Sequence, residues 1–312
     1  MVGEYAAVIP IVLTIVASTA AGAWAEERWG GRAAAGARRG LLLLLYTVLP
    51  FVIFFNLARV ELDADLRGGI VLSWVALAFA SATAWAVGRF ALRLGRPEVG
   101  SMILATLVSN AGFLGFPLVV ALLGADQLGQ AVVYDTLVNV PALLLAGFGT
   151  GAAFGTGAGE GARDRARAFL TRNPPLYAAI AGLIAPASLA PDVLVDASHV
   201  FVIAMLPVAF FAVGANLAEE SDEGRLRVPP PLSSPVATVI VTRMAIAPGL
   251  LLLLGMLLID LPAPYLLLAA MPCGINVMVV AHAYGLSATI AAEALAWTTL
   301  IALAGVLLSR AL

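Results

Sequence analysis

Long apolar runs, separated by short clusters of charge, proline and glycine, divide the chain. They predict helices near 4–24, 40–58, 68–92, 98–123 and 128–153, then near 174–190, 197–218, 233–259, 264–284 and 288–311. Most of these runs approach the roughly 20 residues that a helix needs to cross a bilayer core. Strands of a membrane barrel would instead alternate polar and apolar positions at short spacing. The expected fold is therefore an all-α membrane protein of about ten transmembrane helices.

Two runs are interrupted by residues that resist a regular helix. One carries Ser109-Asn110-Ala111-Gly112-Phe113-Leu114-Gly115-Phe116-Pro117, the other Met271-Pro272-Cys273-Gly274-Ile275-Asn276. Proline lacks an amide hydrogen and clashes with the preceding turn, and glycine loosens the backbone. Both segments are expected to unwind, which in a bilayer requires cover by protein or a water-filled cavity. Paired breaks in two halves of a chain mark the binding site of a secondary transporter.

The two halves also resemble each other. Leu49-Pro50 followed by Asn56-Leu57-Ala58 recurs as Leu206-Pro207 followed by Asn216-Leu217-Ala218. Arg89 and Arg243 fall in the third run of each set, and Pro117 and Pro272 in the fourth. This predicts five-helix repeats over 1–153 and 173–312, joined by a Gly- and Arg-rich cytoplasmic linker at 154–172. An odd helix number turns the second repeat upside down.

Arginine placement tests that topology. With both termini outside, thirteen of the seventeen arginines fall in cytoplasmic loops, as the positive-inside rule requires. The expected location is the cell membrane, spanned many times. An N-terminal signal peptide is disfavoured, because Glu4 stands where a basic region is needed and the arginines follow the apolar run.

Composition agrees and excludes several classes. Hydrophobic residues make up 62% and charged ones 12%, and mean hydropathy is +1.00. The net charge of −2, with no lysine, argues against a nucleic-acid partner. A single cysteine, Cys273, excludes an internal disulfide or a cysteine metal cluster. The Gly-rich stretch at 147–161 lacks the lysine of a phosphate loop, and no cofactor is expected.

Several polar residues remain as candidates. Asn110 and Asn276 bring amides to the two breaks, beside freed N–H groups at half-helix ends that suit a carboxylate. Each is also open to the plainer role of satisfying backbone near a proline. Asp135 and Asn139 share one face of the fifth helix. Asp135 is a candidate for coupling to a proton or ion, or for pairing with the intramembrane Arg243. His282 and Glu293 read as residues reaching for the cytoplasmic interface. Asn56 and Asn216 either cap helix ends or line a cavity, and Cys273 either packs or reports cavity access to thiol reagents.

Asn110 to Pro117 resembles the Asn-Thr-Gly-Phe-Leu-Gly-x-Pro signature of the auxin efflux carrier family, with Ala111 in the threonine position. Met271 to Asn276, followed by Tyr284-Gly285, is similar to that family's Met-Pro-x-x-x-Asn segment. The resemblance implies two inverted five-helix repeats forming scaffold and transport domains, with the fourth and ninth helices crossing at their prolines, as in bile-acid symporters and sodium/proton antiporters. For plant members it implies elevator-like export of indole-3-acetate, the carboxylate held by asparagines. This chain lacks the long cytoplasmic loop of many plant members and resembles the compact prokaryotic ones, whose substrates extend to other organic anions.

The expected function is secondary transport of a small organic anion, with Asn110, Gly112, Pro117, Asn139, Pro272 and Asn276 at the substrate site and Asp135 and Arg243 in coupling or pairing. Proton or sodium coupling and a homodimer are both left open. The rival of the same fold is a cation/proton antiporter, which usually carries acidic residues at the breaks. A receptor or channel would bind without accumulation or pass far larger currents. No enzyme is expected, because no Ser-His-Asp set or aspartate pair is placed for hydrolysis.

Overall fold

The computed structural model describes residues 2–156, 174–222 and 230–308. Twelve helices are described: α1 (Val2–Trp29), α2 (Arg32–Leu57), α3 (Ala64–Ala91), α4 (Arg96–Leu107), α5 (Ala111–Leu122), α6 (Ala125–Phe154), α7 (Pro174–Ile184), α8 (Asp192–Asp222), α9 (Ser234–Leu258), α10 (Ala263–Ala269), α11 (Asn276–Tyr284) and α12 (Ala288–Leu308). Among the described residues six helices, α2, α3, α6, α8, α9 and α12, are long and apolar enough to cross a membrane. The apolar helices α5 and α7 are too short to do so alone. Most of the expected linker, from 157 to 172, lies outside the described residues.

Two boundaries differ from the hydrophobic pattern for local reasons. Helix α2 starts at Arg32 rather than near 40, because the chain reverses at Gly30 and Gly31, both at positive φ (45° and 63°). Only glycine adopts that conformation cheaply. The buried Glu26 carboxylate then accepts hydrogen bonds from the Gly31 and Ala34 N–H groups, satisfying the new helix start. Helix α7 stops at Ile184 rather than near 190, since Pro186 disfavours helical backbone at Ala185.

Four prolines inside helices share one device, whereas Pro10 and Pro207 sit in regular α-helix. A wide π-helical turn ends two residues before Pro50 (Leu44–Val48), Pro117 (Ala111–Gly115), Pro141 (Asp135–Asn139) and Pro248 (Thr242–Ile246). Bonding shifts there to the fifth preceding residue, as in Gly115 N–H to the Asn110 carbonyl at 3.0 Å. The extra residue in the turn relieves the clash between the proline ring and the carbonyl below it.

The helices fall into two packing groups. In one, α1 lies along α8, α7 packs on α2, and α2 joins α8. The α1–α8 approach is close because neither contact residue has a side chain. A Cβ on Gly22 would sit 2.0 Å from the Phe211 carbonyl oxygen, and one on Gly214 would sit 1.9 Å from that of Thr19. The second group gathers α3, α4, α5, α6, α9, α10, α11 and α12 around the segments 108–110 and 270–275. The groups touch chiefly where α2 meets α6 and where α8 and α1 meet α5.

Candidate functional site

Both sequence breaks contain non-helical backbone, and the structure lays one across the other. Ser109 and Cys273 form an isolated antiparallel bridge. Asn110 N–H donates to the Pro272 carbonyl at 2.8 Å, and Gly274 N–H donates to the Val108 carbonyl at 3.0 Å. Two glycines of this crossing have close neighbours, backbone at Gly274 and a movable side chain at Gly115. A Cβ on Gly274 would lie 2.9 Å from the Ser109 carbonyl oxygen, and one on Gly115 would lie 2.3 Å from a Leu268 methyl.

Each break is pinned to the last long helix of its own half. Ser109 donates from its N–H and its hydroxyl to Asn139 Oδ1, both at 2.9 Å. Asn139 Nδ2 returns bonds to the Ser109 carbonyl (3.2 Å) and to Asp135 Oδ1 (2.8 Å). In the other half, Cys273 N–H donates to Thr298 Oγ1 of α12 at 3.2 Å. Asn139 thus has both donors and both acceptor sites engaged. It holds the break and has no capacity left for a substrate, unlike the role expected for it.

Arg243 occupies the midst of the crossing. Its guanidinium is fully buried and donates to the carbonyls of Met271 (2.9 Å), Thr106 (3.1 Å) and Leu268 (3.4 Å). These carbonyls belong to the C-terminal ends of α4 and α10 and the start of the second break, so one cation ties two half-helix ends together where their dipoles are negative. The Tyr134 side chain also interacts with it. The expected pair with Asp135 is not formed, since Asp135 meets Asn139 instead. Arg89, the matching arginine of the first half, is exposed at the end of α3.

The opposite ends of the breaks carry the amides. Asn110 precedes α5 and is only 4% exposed, yet its side chain has no hydrogen-bond partner among the described residues. Beside it Gly112 has room, for its nearest neighbour to an added Cβ is a Leu49 methyl at 3.9 Å. Asn276 opens α11 with its side chain exposed. Pro117 and Pro272 are buried and shape the backbone rather than offering a surface. Two clefts of about 350 and 440 Å³ lie elsewhere and are lined mainly by apolar side chains.

Other candidates take structural places. Asn56 is buried and donates to the Val52 carbonyl and to Ser198 of α8, and Asn216 is half-buried. Cys273 is fully buried beside Thr298, not open to a cavity. Glu293, expected at the interface, is 4% exposed and accepts from the Ser233 hydroxyl. Ser109, Thr106 and Thr298 were not singled out as site residues. Thr298 lies on the last helix, α12, and nothing in its sequence setting marked it.

Residues 168–309 match a family model described as membrane transport protein. A protein of Methanocaldococcus jannaschii described as an uncharacterized transporter is 23% identical over 188 residues, 57% of this chain and 59% of that relative. The match thus spans under two thirds of the relative's length.

Proposed function

Because residues 168–309 match a membrane transport protein model and the two breaks resemble the motifs of the auxin efflux carrier family, we propose that this chain is a secondary transporter of small organic anions. Asn110 carries the reading. The Asn110 amide makes no side-chain hydrogen bond within the described residues and so is free to meet a ligand, and it sits at the start of α5, where unpaired backbone N–H groups and the helix dipole favour an anion. A substrate carboxylate accepting from the Asn110 amide, with Asn276 on the far side of the crossing, uses that donor. Gly112 leaves space for the rest of the molecule.

The repeat reading supports a moving-barrier mechanism. Counting α4 with α5 and α10 with α11 as single crossings gives ten spans in two inverted sets of five. The paired anchors, Ser109 to Asn139 and Cys273 to Thr298, then become equivalents. So do Gly22, packed on α8, and Gly182, packed on α2. The group of α1, α2, α7 and α8 acts as the scaffold. The group around the crossing shifts against it, carrying the anion between sides in an elevator-like cycle. Both termini lie outside the cell membrane in this arrangement.

The rival reading, a cation/proton antiporter, rests on the intramembrane Asp135. Its carboxylate orients Asn139, which favours a supporting role within an anion carrier. The test is current from proteoliposomes on a solid-supported membrane, challenged with indole-3-acetate and other organic anions with and without sodium at two pH values. Saturable currents that vanish in Asn110→Ala are expected. Responses to sodium or pH jumps alone, with silence to every anion, would replace this reading by the antiporter.

A further inference from the structure

Away from the crossing, a cleft of about 350 Å³ is lined by Ser18 and Ala21 of α1, Gly36 and Gly40 of α2, and Pro207 and Val208 of α8. Successive residues of an α-helix turn by about 100°, so Arg32, Gly36, Arg39 and Gly40 share one face of α2. On α1, Arg28 follows Ala21 by about two turns and shares its face. The same faces that line the cleft therefore carry arginines toward the turn between the two helices. Arg28, Arg32 and Arg39 are exposed and have no hydrogen-bond or ion-pair partner among the described residues. Neighbouring charges do not cancel them. The Glu26 carboxylate accepts from the Gly31 and Ala34 N–H groups, Arg38 pairs with Glu219, and Glu27 is the one other acid between Ala23 and Leu43.

Two indoles mark the depth of this end. Trp24 and Trp29 are 59% and 52% exposed, and their rings meet edge to face with centroids 5.4 Å apart. Exposed tryptophans gather where lipid chains meet headgroups, which sets the adjoining Arg28 and Arg32 at headgroup level. The cleft extends inward from there, beside the apolar stretch of α1. Gly36 keeps it open, since a Cβ built on that residue meets nothing within 4 Å, whereas one on Gly40 would lie 3.0 Å from a Val208 methyl.

We propose that this cleft binds one anionic phospholipid from the leaflet at the arginine-rich end. Its phosphate lies between Arg28, Arg32 and Arg39, and one acyl chain fills the cleft. Guanidinium groups offer paired N–H donors that match phosphate oxygens, and a cluster of arginines at headgroup level selects an anionic lipid over a zwitterionic one. The apolar walls add the chain, which a free phosphate lacks. A lipid seated there touches α1, α2 and α8 together and so stabilises that packing group when bound. The site is independent of what the protein transports.

Native mass spectrometry of the delipidated protein in detergent, titrated with phosphatidylglycerol or with phosphatidylcholine of the same chains, tests the site. The wild type is expected to hold one phosphatidylglycerol at concentrations several-fold below those needed for phosphatidylcholine. Arg28→Gln/Arg32→Gln should remove most of that preference. Gly36→Leu, whose side chain enters the cleft, should weaken phosphatidylglycerol binding several-fold. Glycerol phosphate in large excess should leave the lipid in place. Phosphatidylglycerol should also raise the thermal midpoint of the wild type more than that of either variant. Equal affinity of the wild type for the two lipids, or an undiminished preference in Arg28→Gln/Arg32→Gln, overturns the proposal. Displacement by glycerol phosphate overturns it in favour of a free-phosphate site. A lipid-free mass of two chains that Gly36→Leu reduces to one overturns it in favour of a second copy of this chain in the cleft. Should Gly36→Leu fail to fold, the arginine variant, changed only at exposed positions, still decides.

Discussion

Asn139 grips Ser109 by both faces of its amide, accepting from the serine N–H and hydroxyl while donating to its carbonyl. The relationship fixes the first break against α6 and sets what the asparagine can do. Its substitution acts first on structure. Asn139→Leu leaves the Ser109 N–H buried without a partner and is expected to lower stability by about 1–3 kcal/mol, read as a fall in the thermal midpoint of purified protein. Asn110→Ala, which breaks no side-chain bond, is expected to leave that midpoint within a degree or two while abolishing anion current.

Arg243 joins α4, α10 and the second break through three carbonyls. Lysine carries the charge as a compact ammonium and lacks the planar fork that reaches all three. Arg243→Lys is expected to unfold at clearly lower temperature than wild type, and Arg243→Leu to be recovered in low yield. Wild-type melting of Arg243→Lys would show that the charge alone suffices.

The glycines of the crossing are expected to separate into two kinds. Gly274→Ala presses a methyl onto the Ser109 carbonyl and should cost about 1–3 kcal/mol of stability through overpacking. Gly112→Ala meets only a Leu49 methyl at an ordinary contact distance of 3.9 Å and should melt like wild type. Under the proposed function it narrows the substrate site, so its KM should rise severalfold with little change in folding. Titrations of anion current, run beside melting curves, distinguish the two.

Cys273 is fully buried against Thr298 in this conformation. A membrane-permeant maleimide is expected to label it slowly, and faster in Thr298→Ala, where the N–H of Cys273 loses its acceptor. Equal rates in the two proteins would mean that Thr298 does not restrain the second break.

Much of the fold was legible in the chain because bilayer physics leaves few options. A run of some 20 apolar residues is a helix there, since no water satisfies its backbone, and α3, α6, α8 and α9 lie close to where the hydrophobic pattern placed them. The breaks at 109–117 and 271–276 were equally visible, because Pro117, Pro272 and their glycines disrupt a helix wherever it packs. Asn110 and Asn276 announced themselves as amides in an apolar setting.

Residue type and spacing do not say which polar group meets which, and there the tertiary structure decided. Asp135 and Arg243 read as a plausible pair in sequence, but the fold gives the guanidinium to carbonyls at two half-helix ends and the carboxylate to Asn139. His282 and Glu293 looked like residues reaching for water, yet packing buries Glu293 and brings His282 to Glu220. Local backbone chemistry and the bilayer determine where helices run and where they fail. Hydrogen-bond partners across the crossing depend on how distant segments pack, and that is a property of the assembled helices.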